Sequence, residues 1–439
     1  MYRSNLISFI TIILLVLLPA SALMAQSDSR VSSGSFYSGI GFGSPIDLFS
    51  PYSMGTGLTG VSNYSGFSPN ISNPAHWGLI RYSQGNISAS LNQFDASDQT
   101  NSVRNALFSI ESFQVALPLY RNRLGISASF TPMVRNQFRQ VDQGFFNPLP
   151  ELSNDIQYQL TTIGSGGINR YEAGIGLRVN NFLSVGYAIS AQFLTTDNEI
   201  FPSFADPQFR QVQFNRKMSG NAFGHRFGVY AFRSNLLRNE DQLALGVSIS
   251  LPVSIDAEQS ITSFRQINNQ RTLIELNENS PDRNGTVKLP LEINTGLTYN
   301  LSRYTNVLAE LLVQRWDEAE YSFNPVQEGY FKDRVRAGLG FQYHPYRTDQ
   351  AGGFFSNMKY SIGATYDTGH LSINGKDIET IFLNAGIGLM SQRTPSSIDL
   401  SFHYGFRGTE SSNLVKENIW GFKISLNMAE FMFLRQRFQ

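Results

Sequence analysis

Cysteine is absent from all 439 residues. That excludes disulfide staples, thiolate metal ligands, a cysteine nucleophile and a lipidated cysteine. A surplus of either charge is missing as well, since 34 Lys and Arg residues balance 34 Asp and Glu residues. A chain with no basic excess is poorly suited to neutralising a phosphate backbone, so nucleic acid is not an expected partner. Histidine is scarce, with five residues, and none stands in a His-x-His or Glu-x-x-His pair. No metal and no cofactor are therefore expected. Beyond the first two dozen residues, no apolar run approaches the ~20 residues that a membrane helix needs. Hydrophobic residues nevertheless make up 41% of the chain, so they must be dispersed.

The start of the chain carries Arg3, an apolar run from Leu6 to Leu18, then Pro19 and the small-residue stretch Ala20 to Ala25. This fits a cleavable export signal over residues 1–25, and the run is short for a retained anchor. Residues 26–83 follow, rich in Gly, Ser, Asn and Pro and without sustained periodicity.

From residue 84 onward the dispersal takes a definite form. In Phe182 to Leu194, the set Leu183, Val185, Tyr187, Ile189, Ala191 and Phe193 alternates with Ser184, Gly186, Ala188, Ser190 and Gln192. One face of such a strand suits hydrocarbon, and the other suits water or tight packing. About fourteen segments share this rhythm, over residues 84–94, 107–119, 123–134, 168–179, 182–195, 222–234, 241–256, 287–300, 305–316, 331–344, 358–370, 378–391, 397–407 and 417–428. Tight turns near Arg121 to Arg123, Asn180 to Asn181, Ser302 to Tyr304 and Arg393 to Ser396 alternate with long connections. The long ones are Arg135 to Ile168, Thr196 to Asn221, Asp256 to Thr286 and Asp317 to Tyr330. Short periplasmic turns and long outer loops are the habit of outer-membrane barrels, and an even strand count puts both termini in the periplasm.

The charges agree with this facing. Glu172, Arg178, Glu292, Glu310, Arg336 and Asp399 share the parity of the Gly and Ser positions, opposite Ile175, Ile293, Leu311, Leu339 and Leu400. A cation facing mid-bilayer lipid costs about 2–4 kcal/mol, so these six are read as lumen charges. Trp316, Tyr299, Tyr343, Tyr360 and Trp420 fall near strand ends, where aromatic girdles form. The fold class is thus all-β: a membrane-spanning antiparallel β-barrel over residues 84–428, with a periplasmic tail at 429–439. A soluble β-protein with ordinary core packing is the alternative.

The stretch from Gly41 to Gly78 contains Tyr52-Ser53-Met54-Gly55-Thr56-Gly57 and Ser72-Asn73-Pro74-Ala75-His76-Trp77. With Ile163-Gly164-Ser165-Gly166-Gly167-Ile168-Asn169 and Leu183-Ser184-Val185-Gly186, it resembles the FadL-like family of outer-membrane long-chain fatty-acid transport proteins, in particular divergent Bacteroidetes-group members. The resemblance implies a fourteen-stranded barrel with an N-terminal hatch in the lumen, containing an Asn-Pro-Ala turn. It also implies a kink in the third strand through which a hydrophobic ligand leaves sideways. Carried onto this chain, the substrate path is Asn73, Pro74, Ala75, Trp77, Phe130 and Pro132. Pro132 lacks a ladder N–H and so suits a local gap, or simply a strand end. Two features depart from the family pattern. The inward positions are rich in Gly, Ser and charge, which suits a wet or plugged lumen, and the chain ends Phe438-Gln439.

Catalysis has one candidate, His403 with Ser401 and Asp399 of the same parity. Residues two apart on a strand stand about 7 Å apart, too far for a direct relay, and a lumenal histidine is the simpler reading. The expectation is a non-enzymatic barrel for passive uptake of a hydrophobic small molecule, a long-chain fatty acid or similar. Its expected surroundings are outer-membrane lipid and the barrel-assembly machinery, and it is expected to be a monomer. The alternative is a non-transporting barrel that acts as a binding, structural or secretion-accessory protein.

Overall fold

The computed structural model describes residues 33–430 apart from 100, 147–155, 206–211, 237, 268–269, 278–279, 346–352 and 392–394. The side chains of 146, 265–267 and 270–272 are also left aside. The proposed signal and the last nine residues lie outside the described part.

Alternating sequence becomes a closed ring of fourteen antiparallel strands. They are β1 (Ser83–Ser97), β2 (Ser102–Tyr120), β3 (Leu124–Arg135, resuming at Phe138–Phe146), β4 (Ile156–Arg178), β5 (Leu183–Phe204), β6 (Gln213–Ser234) and β7 (Gln242–Ser250, resuming at Val253–Ile267). The ring continues with β8 (Asn284–Leu289, resuming at Glu292–Asn300), β9 (Thr305–Gln314), β10 (Arg334–Tyr343), β11 (Met358–Asp367), β12 (Thr380–Met390), β13 (Ser397–Gly408) and β14 (Lys416–Glu430). Closure runs from Ser83 opposite Glu430 to Ser97 opposite Lys416. The breaks in β7 and β8, at Pro252 and Pro290, fall side by side because neither residue can donate to the ladder.

Facing follows parity. On β5, Tyr187, Ile189 and Phe193 are exposed on the outside, whereas Ser184, Ser190 and Gln192 are buried inside. This is the arrangement of a bacterial outer-membrane barrel, apolar toward lipid and polar within.

Three of the expected outer loops are largely strand. The described residues between Arg135 and Ile168, Thr196 and Asn221, and Asp256 and Thr286 carry the ladder well beyond the apolar band, pairing Thr162 with Ile200 and Asp197 with Lys217. The alternation fades there because no hydrocarbon faces the strands, while backbone pairing continues regardless. The connection after β9 is built differently, with short helical turns at Trp316–Glu318 and Pro325–Glu328, the second capped by the Asn324 side chain on the Gln327 N–H.

The N-terminal segment fills the ring. Short 3₁₀ turns at Phe36–Gly39, Met54–Thr56 and Pro74–Leu79 are joined by irregular chain, nearly all of it buried. Its first described residues lie at the outer end of the barrel, where Ser35 Oγ donates to Glu417 at the outer end of β14 (2.7 Å). From there the described segment descends through the lumen to β1.

Lumen-facing glycines seat this segment. A Cβ on Gly125 would stand 2.2 Å from the Trp77 carbonyl oxygen, and one on Gly186 would stand 2.2 Å from the Pro74 carbonyl carbon. One on Gly246 or Gly363 would stand 2.1 Å from the Val61 or Thr56 oxygen. Gly186→Ala should therefore unseat the Pro74 turn. A single cysteine placed at Ala75 in this cysteine-free chain should then label with an aqueous maleimide several-fold faster than in the parent; an unchanged rate would refute the seating.

Candidate functional site

Among the described residues, the wall is interrupted between β2 and β3. Pairing of β2 with β3 stops at Phe113 opposite Phe130. Above it, β2 pairs with β1 alone, and β3 bends inward through a bulge between Pro132 and Val134. On the β4 side, Gly166 and Gly167 take positive φ where a Cβ would stand 2.0 Å from carbonyl oxygens of Thr195 and Val134.

The N-terminal segment occupies the interruption. Ser44 and Pro45 pair with Arg135 and Val134, and the Ile46 N–H donates to the Met133 carbonyl (2.8 Å). Higher up, the Gly34 N–H donates to the Gln137 carbonyl (3.0 Å) while Asn105 Nδ2 of β2 donates to the Gly34 carbonyl (3.3 Å). One residue thus joins the two separated strands. Buried polar groups in a membrane need partners, and here the inner segment supplies what the neighbouring strand does not.

Charged wall groups fasten the same segment around the ring. Glu310 on β9 accepts from the backbone N–H groups of Thr59 (2.7 Å), Gly60 (2.7 Å) and Val61 (3.0 Å). Arg226 on β6 donates to the carbonyls of Ile71 (2.8 Å) and Ser72 (3.0 Å) and pairs with Glu172 on β4. Arg336 on β10 donates to the Gly57 carbonyl. Lys359 on β11 donates to the Tyr52 carbonyl (2.5 Å) and pairs with Asp399 on β13 (2.7 Å). Asp47 of the segment meets Arg334 at 2.9 Å and Arg336 at 3.4 Å. Burial alone would raise the Asp47 carboxyl, but the two guanidiniums outweigh it and hold it below the ordinary carboxylate range. Breaking a buried pair of this kind costs about 3–5 kcal/mol, so the arrangement resists displacement.

The Asn-Pro-Ala turn lies within this network. Asn73 Oδ1 accepts from the Ala75 N–H, and its Nδ2 donates to the carbonyls of Val61 and Val229 (both 3.0 Å). Pro74 and Ala75 are buried, and Trp77 Nε1 donates to the Asn70 carbonyl (2.8 Å). Pro132 is buried at the bulge, but Phe130 stands apart from the others on the lipid side, its ring 5.1 Å from that of the exposed Tyr171. Of the six charges read from parity, Glu172, Glu310, Arg336 and Asp399 are buried in the lumen. Glu292 accepts from Gln314 Nε2 (2.5 Å), and Arg178 sits at the periplasmic rim against the Asn180 and Asn181 carbonyls. Several partners were not singled out from sequence, among them Arg226, Lys359, Lys423 and Glu111. Arg226 shares parity with Gly224 and Gly228, and Lys359 with Ser361 and Gly363, so the same parity test reaches them.

Beside the interruption lies a cavity of about 180 Å³, lined by Phe49, Phe94, Leu107, Phe382 and Ile419 and also by Glu111, Arg135, Arg336, Arg407 and Lys423. The Lys423 ammonium lies 3.7 Å from the centre of the Phe49 ring. A second cavity of about 430 Å³ opens at the periplasmic end and shares no lining residue with the first. His403 borders the first, but Asp399 is engaged by Lys359, Ser397 and Asn427, and His403 Nδ1 has no partner. The carboxylate does not orient the histidine as a catalytic relay requires.

These features define a closed, fourteen-stranded, FadL-like barrel of the bacterial outer membrane with its lumen occupied by its own N-terminal segment. The chain belongs to the BamG family, whose model it matches over residues 6–439. None of the curated proteins matches it. Among solved structures it is similar to a Pseudomonas aeruginosa FadL homologue (11% identity, TM-score 0.56, covering 89% of this chain and 99% of that one). It is also similar to the Ralstonia pickettii toluene transporter TbuX (13%, 0.53, 88% and 99%) and the Pseudomonas putida toluene transporter TodX (11%, 0.53, 87% and 99%). At such identity the likeness is one of fold.

Glu310→Ala would leave three buried N–H groups of the segment without an acceptor, each at about 1–3 kcal/mol. It should lower the temperature at which the barrel loses its compact gel mobility by clearly more than Glu292→Ala, whose carboxylate meets a side-chain amide instead. Equal shifts would show that Glu310 does not fasten the segment.

Proposed function

We propose that this barrel works as a plugged, non-conducting accessory of outer-membrane protein assembly, acting through its surfaces rather than its lumen. The observation that carries the reading is the fastening of the N-terminal segment by charged groups on β6, β9, β10 and β11. A solute crossing the lumen would have to part several buried ionic contacts at once. The name of the matching family, BamG, supports a link to the barrel-assembly machinery. Strands β3 to β7 also rise well beyond the apolar band and offer a broad outer surface to a partner. Affinity purification from outer membranes under mild detergent should bring down a barrel-inserting protein in stoichiometric amount, and the purified barrel should show no conductance in planar bilayers. A steady open channel without a copurifying partner would overturn the reading.

A second reading, passive uptake of hydrophobic small molecules such as long-chain fatty acids, draws support from the interruption between β2 and β3. In it, the hatch turn at Asn73, Pro74, Ala75 and Trp77 shifts, and the solute leaves beside Pro132. The aromatic and aliphatic residues of the 180 Å³ cavity would receive the tail, and its cations an anionic head. Cells carrying the gene should then accumulate a radiolabelled long-chain fatty acid faster than cells lacking it; equal rates would remove this reading.

A further inference from the structure

The periplasmic cavity of about 430 Å³ has a lining that neither reading uses. Its size falls in the ~300–1,000 Å³ range of ligand sites. It is enclosed by the inner segment at Tyr64, Leu79, Arg81 and Tyr82 and by the periplasmic ends of β4 and β6 to β9. Two arginines, Arg81 and Arg178, line it, and not one acidic residue does.

We infer that this cavity is a socket for the C-terminal residue of a polypeptide ending in an apolar or aromatic side chain with a free carboxylate. Three features converge on that chemistry. Arg81 uses Nε on Asn122 Oδ1 (2.8 Å), and Arg178 uses Nε and one Nη on two turn carbonyls, so guanidinium donors remain on both for a carboxylate. Tyr64, Tyr230, Phe232 and Leu79 form an apolar wall, stiffened by His76, whose ring stands 4.4 Å from that of Tyr230. Asn300 Oδ1 is a buried acceptor without a partner, suited to the last peptide N–H of the ligand. Capture of a terminal carboxylate together with its neighbouring amide is a recurrent mode of peptide recognition. A peptide is favoured over a lipid because the cavity lies at the aqueous mouth, and because the side-chain amides of Gln242 and Asn306 add groups able to bond an amide backbone. The socket stands independently of whether the barrel conducts.

The test is fluorescence anisotropy on the full-length protein in detergent. The probe is a fluorescein-labelled hexapeptide of alternating serine and valine ending in phenylalanine, compared with the same peptide as its C-terminal amide. The free acid should bind saturably and the amide at least ten-fold more weakly. Arg81→Gln, an exposed change that should leave folding intact, and Asn300→Asp, which would place a like charge against the carboxylate, should each weaken the free acid by a similar factor. Retention of compact gel mobility identifies folded variants. Equal binding of acid and amide, or no effect of Arg81→Gln in a folded sample, would overturn the assignment. So would decanoate binding in the absence of peptide binding. Copurification of an assembly partner is read separately, so either result can fail without the other.

Discussion

A ribbon that crosses hydrocarbon can leave no backbone N–H or C=O without a partner, and the architecture of this protein follows from how that demand is met. Thirteen neighbouring pairs and the closure of β14 on β1 meet it by ordinary pairing. Among the described residues, pairing of β2 with β3 ends at Phe113 and Phe130, above which β3 bends inward. There the partner is the chain's own N-terminal segment, through Gly34, Ser44, Pro45 and Ile46. The inner segment is thereby a piece of the wall as well as the filling of the lumen.

That dual role explains the composition of the inner face. A conduit for apolar solutes would be served by an apolar lining, yet these strands present glycine where the segment's backbone comes closest and charge where its polar groups need partners. The glycines on β3, β5, β7 and β11 remove the Cβ that would push the segment away. The carboxylate of Glu310 and the cationic groups of Arg226, Arg336 and Lys359 then meet backbone groups that irregular chain cannot satisfy by itself. Small side chains and buried charges are two parts of one adaptation.

Similarity to the hydrocarbon channels is strong in architecture and faint in sequence, at 11–13% identity for the structures compared. The ring constrains strand number and the facing of side chains, and many lumen contents satisfy both. Here the lumen contents are ionic and interlocked.

The fourteen membrane-crossing strands and their facing were legible in the primary structure because each rests on a local rule, whereas the hatch in the lumen was implied only by the family resemblance. Strand periodicity is two residues, and hydrocarbon tolerates no charge. The same rules failed above the membrane, where β3 to β7 continue as strands in polar sequence, since a ladder held by backbone bonds needs no alternation. Parity exposed Glu310 and Arg336 as inward, but nothing local could pair Glu310 with Thr59, Gly60 and Val61, some 250 residues away. Nor could it reveal that Gly34 bridges β2 and β3. Such contacts join residues distant in sequence, and only closure of the ring brings them within bonding distance.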